Sequence, residues 1–201
     1  MATILSKASL YGIVTKKAAE LGLNMYAQNY KVDAIQLAMQ VCVAPKIEII
    51  EFDNIKICGL LYKGDSSTTI GLNARRSAGG RNFDCMHELM HYWLHNDKDS
   101  FYCLDGMSSH IEWQANEGAA QFLMPYQSFI PNYCYLHDKL YAKYMPQKAY
   151  EVQVSMLANS YMVGEMSIKI RMKSLKNEIA QYIDGASINK IKIVPNRHKQ
   201  V

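Results

Sequence analysis

Apolar and polar positions along the chain follow two periods, one helical and one extended. Apolar side chains recur every three or four residues over 9–27 and again over 32–41, which is the spacing of one buried helix face. Asp33 lies in the first turn of the second segment, where its charge favours a helix start. The period then shortens towards two, which is typical of strands. The sequence therefore predicts two helices followed by three strands, over residues 46–52, 54–62 and 68–72.

The third strand leads through a predicted loop into the next helix. Residues 63–67 are rich in turn formers, so the second and third strands are expected to form a hairpin. Residues 77–82 include two glycines and predict a loop. Asn82 or Asp84 is the expected cap of a helix that continues to about His95.

The second half of the chain is predicted to be mainly helical. Residues 96–109 are polar and predict an irregular stretch. Helical periodicity resumes at His110 and ends before Pro125, and Pro131 indicates a further loop. Two more helices are expected, over residues 147–161 and 165–182. Helices on either side of a small group of strands make the predicted fold class α+β.

Composition sets the size of the fold and limits its partners. With 201 residues, 49% of them hydrophobic, the chain can bury the core of one domain. The expected division is a main domain over residues 1–135 and a helical extension over 136–201 that packs on it. The net charge of +4 is too small for a dedicated nucleic-acid binder, so a nucleic-acid partner is not expected.

Cysteine usage and the N-terminus favour a cytoplasmic protein. The five cysteines are odd in number and form no Cys-x-x-Cys pair, which predicts reduced thiols. Residues 1–12 lack the cationic start and apolar run of a secretion signal. No apolar run reaches the roughly 18 residues that a membrane-spanning helix needs, so no membrane partner is expected.

The segment His87-Glu88-Leu89-Met90-His91 carries the most specific chemical signal. Residues four apart share one face of a helix, so the His87 and His91 rings can bind one metal ion together. Glu88 points about a third of a turn away, where it can act on a water at the metal without binding the metal. The alternative, a chance helix face with two histidines, is disfavoured by the downstream sequence.

A catalytic metal site normally has three protein ligands, so one more ligand must come from another element. Glu112 and Glu117 both lie on the helix that begins near His110. Glu112 is favoured because Asn116 follows it by one helical turn and is placed to orient a ligand. Glu117 lies off that face and is the less favoured alternative.

His95 is the other histidine close to the motif, two turns after His87. The three-histidine pattern known from some metallopeptidases needs a glycine turn between its second and third ligands, and this chain has none there. His95 is therefore expected in the core or behind the ligands, and not on the metal.

The motif and its downstream partner resemble the ImmA/IrrE metallopeptidases. Residues 112–125 read EWQANEGAAQFLMP, which is similar to the second signature of that family. Residues 57–62 and 70–73 resemble the strands that precede its HExxH helix. The resemblance spans residues 46–131, and its two signatures agree with the family in order and in spacing.

Two positions depart from the usual pattern of this family. Gly118 stands where the family usually has phenylalanine, and Met90 stands where it usually has glycine. Both changes are expected to alter packing only, because neither removes a candidate metal ligand.

The resemblance implies a zincin-like metallopeptidase domain with a small mixed sheet. In that arrangement His87, His91 and Glu112 would bind Zn²⁺, and Glu88 would act as general base. The implied substrate is a regulatory protein, such as a helix-turn-helix repressor of a phage or mobile element. The alternative is a non-catalytic metal-binding regulator or toxin–antitoxin partner. The intact Glu88 favours the enzyme, because a structural site has no use for a base.

Two features of substrate handling are also expected. Strand residues 70–73 are predicted to pair with an extended substrate and present its peptide bond to the metal. The group that stabilises the oxyanion stays open among four candidates, which are His95, His110, Tyr92 and Tyr126.

Residues 156–173 have the outline of a helix-turn-helix with a basic second helix. Its basic residues Lys169, Arg171 and Lys173 alternate in sequence, so on a helix they spread over several faces. A packed helical hairpin is therefore favoured over a DNA contact.

Overall fold

The chain folds into eight α-helices and four strands over residues 4–54, 56–95, 100–104 and 109–195, the part that this computed structural model describes. The helices are α1 (Lys7–Glu20), α2 (Ala34–Val41), α3 (Ala78–Leu94), α4 (His110–Leu123), α5 (Tyr126–Tyr141), α6 (Pro146–Tyr161), α7 (Glu165–Ser174) and α8 (Lys176–Ile183). The strands are β1 (Pro45–Ile50), β2 (Ile57–Lys63), β3 (Thr68–Asn73) and β4 (Ser100–Leu104). The predicted α+β class is confirmed.

The sheet has the strand order β1-β3-β2-β4. β2 and β3 form the predicted antiparallel hairpin, with Gly59 opposite Leu72. β1 pairs with the other edge of β3 in parallel, and β4 pairs with β2 antiparallel. Because β3 has a strand on both sides, it has no edge for a substrate, and the prediction that residues 70–73 pair with one is wrong.

Helix α3 begins earlier than predicted. Ser77 is its N-cap, and the Ser77 hydroxyl accepts a hydrogen bond from the Gly80 amide at 3.1 Å. The expected caps Asn82 and Asp84 lie inside the helix, so that prediction is wrong. Both are buried, and the Asn82 carboxamide oxygen instead accepts from the Ala34 amide of α2 at 2.7 Å.

Two segments predicted to be irregular contain regular structure. The stretch 96–109 contains β4, which gains its backbone partners from β2; the rest of that stretch, apart from Ser109, lies outside the described residues. Pro131, predicted in a loop, lies inside α5. The helix buries Phe129 and Ile130 completely, and this burial offsets the one backbone bond that Pro131 cannot make.

Two helices differ in length from the prediction. α1 ends at Glu20 and not near residue 27, because Gly22 adopts the left-handed backbone (φ 72°) that terminates helices. The helix predicted over 165–182 is two helices, α7 and α8, which meet at Leu175.

The motif helix α3 lies in the middle of the fold. It packs against β2 and β3 as well as against α2 and α4. Every α3 residue from Asp84 to His91 is buried as a result. A helix buried on all sides holds its polar side chains in one fixed place, which is what a metal site requires.

The C-terminal helices pack on the same core. Arg171 of α7 is fully buried and donates to Glu117 of α4 at 3.1 Å, while Lys169 and Lys173 are exposed. This agrees with a packed hairpin of α6 and α7. The predicted division after residue 135 falls inside α5 and stays a prediction. In the described ranges no helix is long and apolar enough to cross a membrane.

Candidate metal centre

Three side chains converge between α3 and α4. His87 Nε2 lies 3.0 Å from His91 Nε2, and the Glu112 carboxylate lies 3.1 Å from the first nitrogen and 3.3 Å from the second. All three residues are buried, and among the described residues they are the one group placed to hold a metal ion. Tetrahedral ligands of zinc lie about 3.3 Å from one another. The two distances to Glu112 join its two different oxygens to the two histidines, and both are close to this value.

At neutral pH His91 and Glu112 are in the forms that bind a cation, as their pKa values indicate. Burial lowers the pKa of His91 to about 4, against the opposing effect of its hydrogen bond to Glu112. Burial alone would raise the pKa of Glu112, but the hydrogen bonds and charges of His87 and His91 together lower it to about 2. A neutral imidazole beside an ionised carboxylate is the ligand pair that a divalent metal needs.

Glu112 is held in place by the start of α4. Ser109 is the N-cap of that helix, and its hydroxyl accepts from the Glu112 amide at 3.1 Å. Ser-x-x-Glu is the spacing of a capping box, in which the glutamate returns to the backbone of the cap. Here the Glu112 carboxylate instead contacts His87 and His91. Its place in the first turn also puts the negative charge at the positive end of the helix.

Each histidine of the cluster is held from behind by a second polar side chain. His87 Nδ1 lies 3.1 Å from the Asn116 carboxamide oxygen, so Asn116 faces this cluster, as predicted, but contacts His87. His91 Nδ1 lies 2.9 Å from His95 Nδ1. His95 therefore lies behind His91, and its exclusion from the metal stays a prediction. These contacts direct both Nε2 atoms towards Glu112.

Glu88 is a completely buried carboxylate, and neither of its oxygens has a hydrogen-bond partner in the described part of the chain. Burial raises its pKa well above the usual value, and the charge of Glu112 adds to this effect. Gly59 of β2 makes room for it, since a Cβ there would lie 2.8 Å from Glu88 Oε1. An unpaired buried carboxylate destabilises a fold. Its presence beside three metal donors fits an acid–base group whose partner belongs to the reaction.

The alternative third ligand, Glu117, is engaged elsewhere. Its carboxylate accepts from Arg171 Nη1 at 3.1 Å, from the Ser174 hydroxyl at 2.8 Å and from the Tyr11 hydroxyl. These partners lie on α1 and α7. The structure thus brings Glu112, and not Glu117, to the two histidines.

Two residues of the site were not predicted, namely Gly59 and Gln114. The Gln114 side-chain oxygen lies 3.0 Å from His95 Nε2. A sequence signal existed for both. Glycine inside a strand often marks a close approach of another group. The pairs His91/His95 and His110/Gln114 are each four residues apart, so each pair shares one helix face.

The two departures from the family pattern contact each other. A Cβ on Gly118 would lie 2.9 Å from the sulfur of Met90, which is almost completely buried. The family usually has phenylalanine at 118 and glycine at 90. This chain has the reverse, with the small residue at 118 and the large residue, methionine, at 90. Met90 of α3 therefore fills space between α3 and α4 that a side chain at 118 would otherwise enter.

Two histidines and a glutamate around a buried HExxH glutamate, in a small α+β fold, are the features of a zincin-like metallopeptidase domain. The family model described as the IrrE N-terminal-like domain, a peptidase family, matches residues 42–173. This match covers more than half of the chain, and the chain belongs to that family. The resemblance to ImmA/IrrE metallopeptidases is confirmed. Among curated proteins, none matches the chain.

Proposed function

We propose that this protein is a zinc-dependent endopeptidase of limited specificity. Its substrate is a regulatory protein, such as a helix-turn-helix repressor of a phage or mobile element. Membership of a peptidase family supports proteolysis and a protein substrate. The observation that carries the proposal is the convergence of His87, His91 and Glu112 near the unpaired carboxylate of Glu88.

The proposed chemistry assigns one task to each group. Zn²⁺ held by His87, His91 and Glu112 would polarise the scissile carbonyl and acidify the attacking water. Glu88 accepts the proton of that water and passes it to the leaving amine.

The strand that can receive an extended substrate is β4. Within the described residues β4 pairs with β2 alone, so its outer edge is open, and its backbone lies next to α3. A peptide that adds to this edge uses backbone hydrogen bonds and lies alongside the motif helix. This placement replaces the earlier expectation for β3.

The first test is the metal content of untagged protein by mass spectrometry. One zinc per chain is expected in the wild type and in Glu88→Gln, because Glu88 is not a ligand. Glu112→Gln should lose most of the metal. Glu117→Gln is the matched control, since it makes the same change on the same helix at a carboxylate that contacts other partners. Retention of zinc by Glu112→Gln together with its loss from Glu117→Gln would overturn the ligand assignment.

The second test looks for the substrate. Wild-type protein and Glu88→Gln are added to a lysate of the native host, and new protein N-termini are identified by labelling and mass spectrometry. Termini that appear with the wild type alone identify substrates, and a repressor is expected among them. Termini only in proteins of another class would contradict the repressor assignment. Identical profiles from both proteins would favour the non-catalytic metal-binding regulator.

A further inference from the structure

A line of hydrogen-bonded side chains leads from the metal centre towards the protein surface. His91 Nδ1 contacts His95 Nδ1 at 2.9 Å, and His95 Nε2 contacts the Gln114 oxygen at 3.0 Å. The Gln114 amide nitrogen contacts His110 Nε2. His91, His95 and Gln114 are at most 1% exposed, whereas His110 is partly exposed and stacks on Trp113.

The chemistry of each link determines where its proton lies. The Gln114 oxygen can only accept, so the proton of this bond belongs to His95 Nε2. A neutral His95 then has a bare Nδ1, which accepts from His91 Nδ1. In that arrangement His91 carries its proton on Nδ1, and its Nε2 presents a lone pair towards His87 and Glu112.

We propose that His95 and Gln114 are positioning residues that hold His91 in the one neutral tautomer able to bind a metal through Nε2. The proposal rests on the metal site of the proposed function. His110 supports this arrangement. It accepts a hydrogen bond from the Gln114 amide nitrogen and so keeps the amide oxygen directed at His95. The other histidine ligand, His87, is held by the single carboxamide oxygen of Asn116.

The tautomers are measured directly in metal-free protein. Long-range ¹H–¹⁵N spectra of ¹⁵N-labelled protein at pH 7 distinguish the two neutral forms of each histidine. His95 is expected with its proton on Nε2 and His91 with its proton on Nδ1. Gln114→Met removes the acceptor and should leave His95 as a mixture of tautomers. His95 protonated on Nδ1 in the wild type would overturn the proposal.

Metal affinity provides a second readout. The zinc dissociation constant is measured by competition with a chelating dye for wild type, His95→Phe and His95→Asn. Phenylalanine keeps a ring without an acceptor, and loss of such a supporting contact weakens metal binding about 10- to 100-fold. Asparagine places an amide oxygen where His95 Nδ1 lies, so its affinity should stay within about threefold of wild type, since the acceptor is kept. Equal affinity of wild type and His95→Phe, or equal losses in both variants, would contradict the assignment.

The design separates failure of this inference from failure of the proposed function. If the wild type binds no zinc, the metallopeptidase proposal fails, while the tautomers of the metal-free protein still decide the role of His95. If His95→Phe does not fold, Gln114→Met replaces it and Gln114→Glu is its match, because glutamate keeps an oxygen acceptor. Weaker zinc binding by Gln114→Met than by Gln114→Glu is the expected result, and the reverse order would overturn it.

Discussion

At the scale of single residues, two buried glutamates differ in whether their carboxylates have hydrogen-bond partners. Glu117 accepts hydrogen bonds from Arg171, Ser174 and Tyr11. Glu88 is more deeply buried and has no partner among the described residues. A fold selected for stability alone would pair or replace such a group. The contrast makes the two residues a matched pair for experiment.

In metal-free protein, Glu88→Gln is expected to raise the free energy of unfolding at pH 7 by about 1–3 kcal/mol. Folding raises the pKa of Glu88 above its ordinary 4.5, so the folded state holds this proton to higher pH than the unfolded state does. The contribution of Glu88 to wild-type stability is therefore most favourable below pH 4.5 and falls as the pH rises towards the folded pKa of this group. Urea unfolding at pH 4 and pH 7 measures the difference.

Glu117→Gln is the control for this experiment, and it should destabilise the protein at pH 7 because Arg171 loses its charged partner. If Glu88→Gln is the less stable protein at pH 7 and the difference does not depend on pH, the carboxylate has a stabilising partner and the interpretation of Glu88 is wrong.

Gly59→Ala should lower kcat about 10- to 100-fold and leave the metal content unchanged, because a small displacement of a reacting group is enough for such a loss. The added Cβ would lie 2.8 Å from Glu88 Oε1 and 3.3 Å from the Gly71 carbonyl, so the carboxylate must move. Gly64→Ala is the control on the adjoining turn, where the nearest atom is 3.4 Å away. Steady-state kinetics on a cleaved substrate gives the comparison, and equal kcat values for both variants would exclude a role for this close approach.

At the scale of elements, sequence periodicity predicted the helices and the hairpin but placed several boundaries wrongly. α3 begins at its Ser77 cap, because the two glycines after Ser77 are compatible with a helix. The Asn82 side chain accepts a hydrogen bond from α2 and therefore does not cap α3. β4 is short and lies in a polar stretch of sequence, so the sequence pattern does not reveal it without its partner β2. Pro131 is tolerated because α5 is anchored by burial. The strand β4 and the asparagine Asn82 involve contacts between segments far apart in sequence, which local patterns do not contain, whereas the Ser77 cap and the Gly22 helix stop are local features.

The candidate site was more predictable than these boundaries. Helix geometry alone places His87 and His91 on one face, and a single turn relates Glu112 to Asn116. The contact between His95 and Gln114 joins two helices, and the space for Glu88 depends on a glycine in β2. These features require the tertiary fold, so the sequence could suggest them only through spacing.

The pairing of a large residue at 90 on α3 with glycine at 118 on α4 is testable by a double-mutant cycle. Met90→Gly should destabilise the protein by about 3–5 kcal/mol, through a cavity and a flexible helix backbone. Gly118→Phe should also destabilise it, because the ring meets Met90. The loss of stability in the double variant should be smaller than the sum of the losses in the two single variants, by at least about 1 kcal/mol. Urea unfolding measures all four proteins, and additive effects would contradict the compensation.

At the scale of the whole molecule, buried ion pairs join the two ends of the described chain. Lys7 of α1 donates to Glu178 of α8 at 3.1 Å, with both side chains at most 1% exposed. Arg171 donates to Glu117 and also to the Gln121 oxygen at 2.6 Å. The C-terminal helices therefore supply charges that α1 and α4 need. This argues that the predicted extension folds together with the main domain.

Arg171→Leu should lower the free energy of unfolding by about 3–5 kcal/mol, since it leaves Glu117 as an unpaired buried charge. Lys169→Leu, an equivalent change at an exposed position of the same helix, should alter it by no more than about 0.5 kcal/mol. Thermal and urea unfolding give both values. A similar small effect for both variants would mean that the C-terminal helices are not coupled to the fold through this pair.

The three donors of the candidate centre come from only two helices, α3 and α4. A bound ion would act as a cross-link between them, and at a free concentration of one hundred times its dissociation constant it would add about 2.7 kcal/mol of stability. This is comparable to the penalty expected for the unpaired Glu88. Chains without metal would carry the penalty without the cross-link. The fraction of folded chains would then depend on the supply of metal.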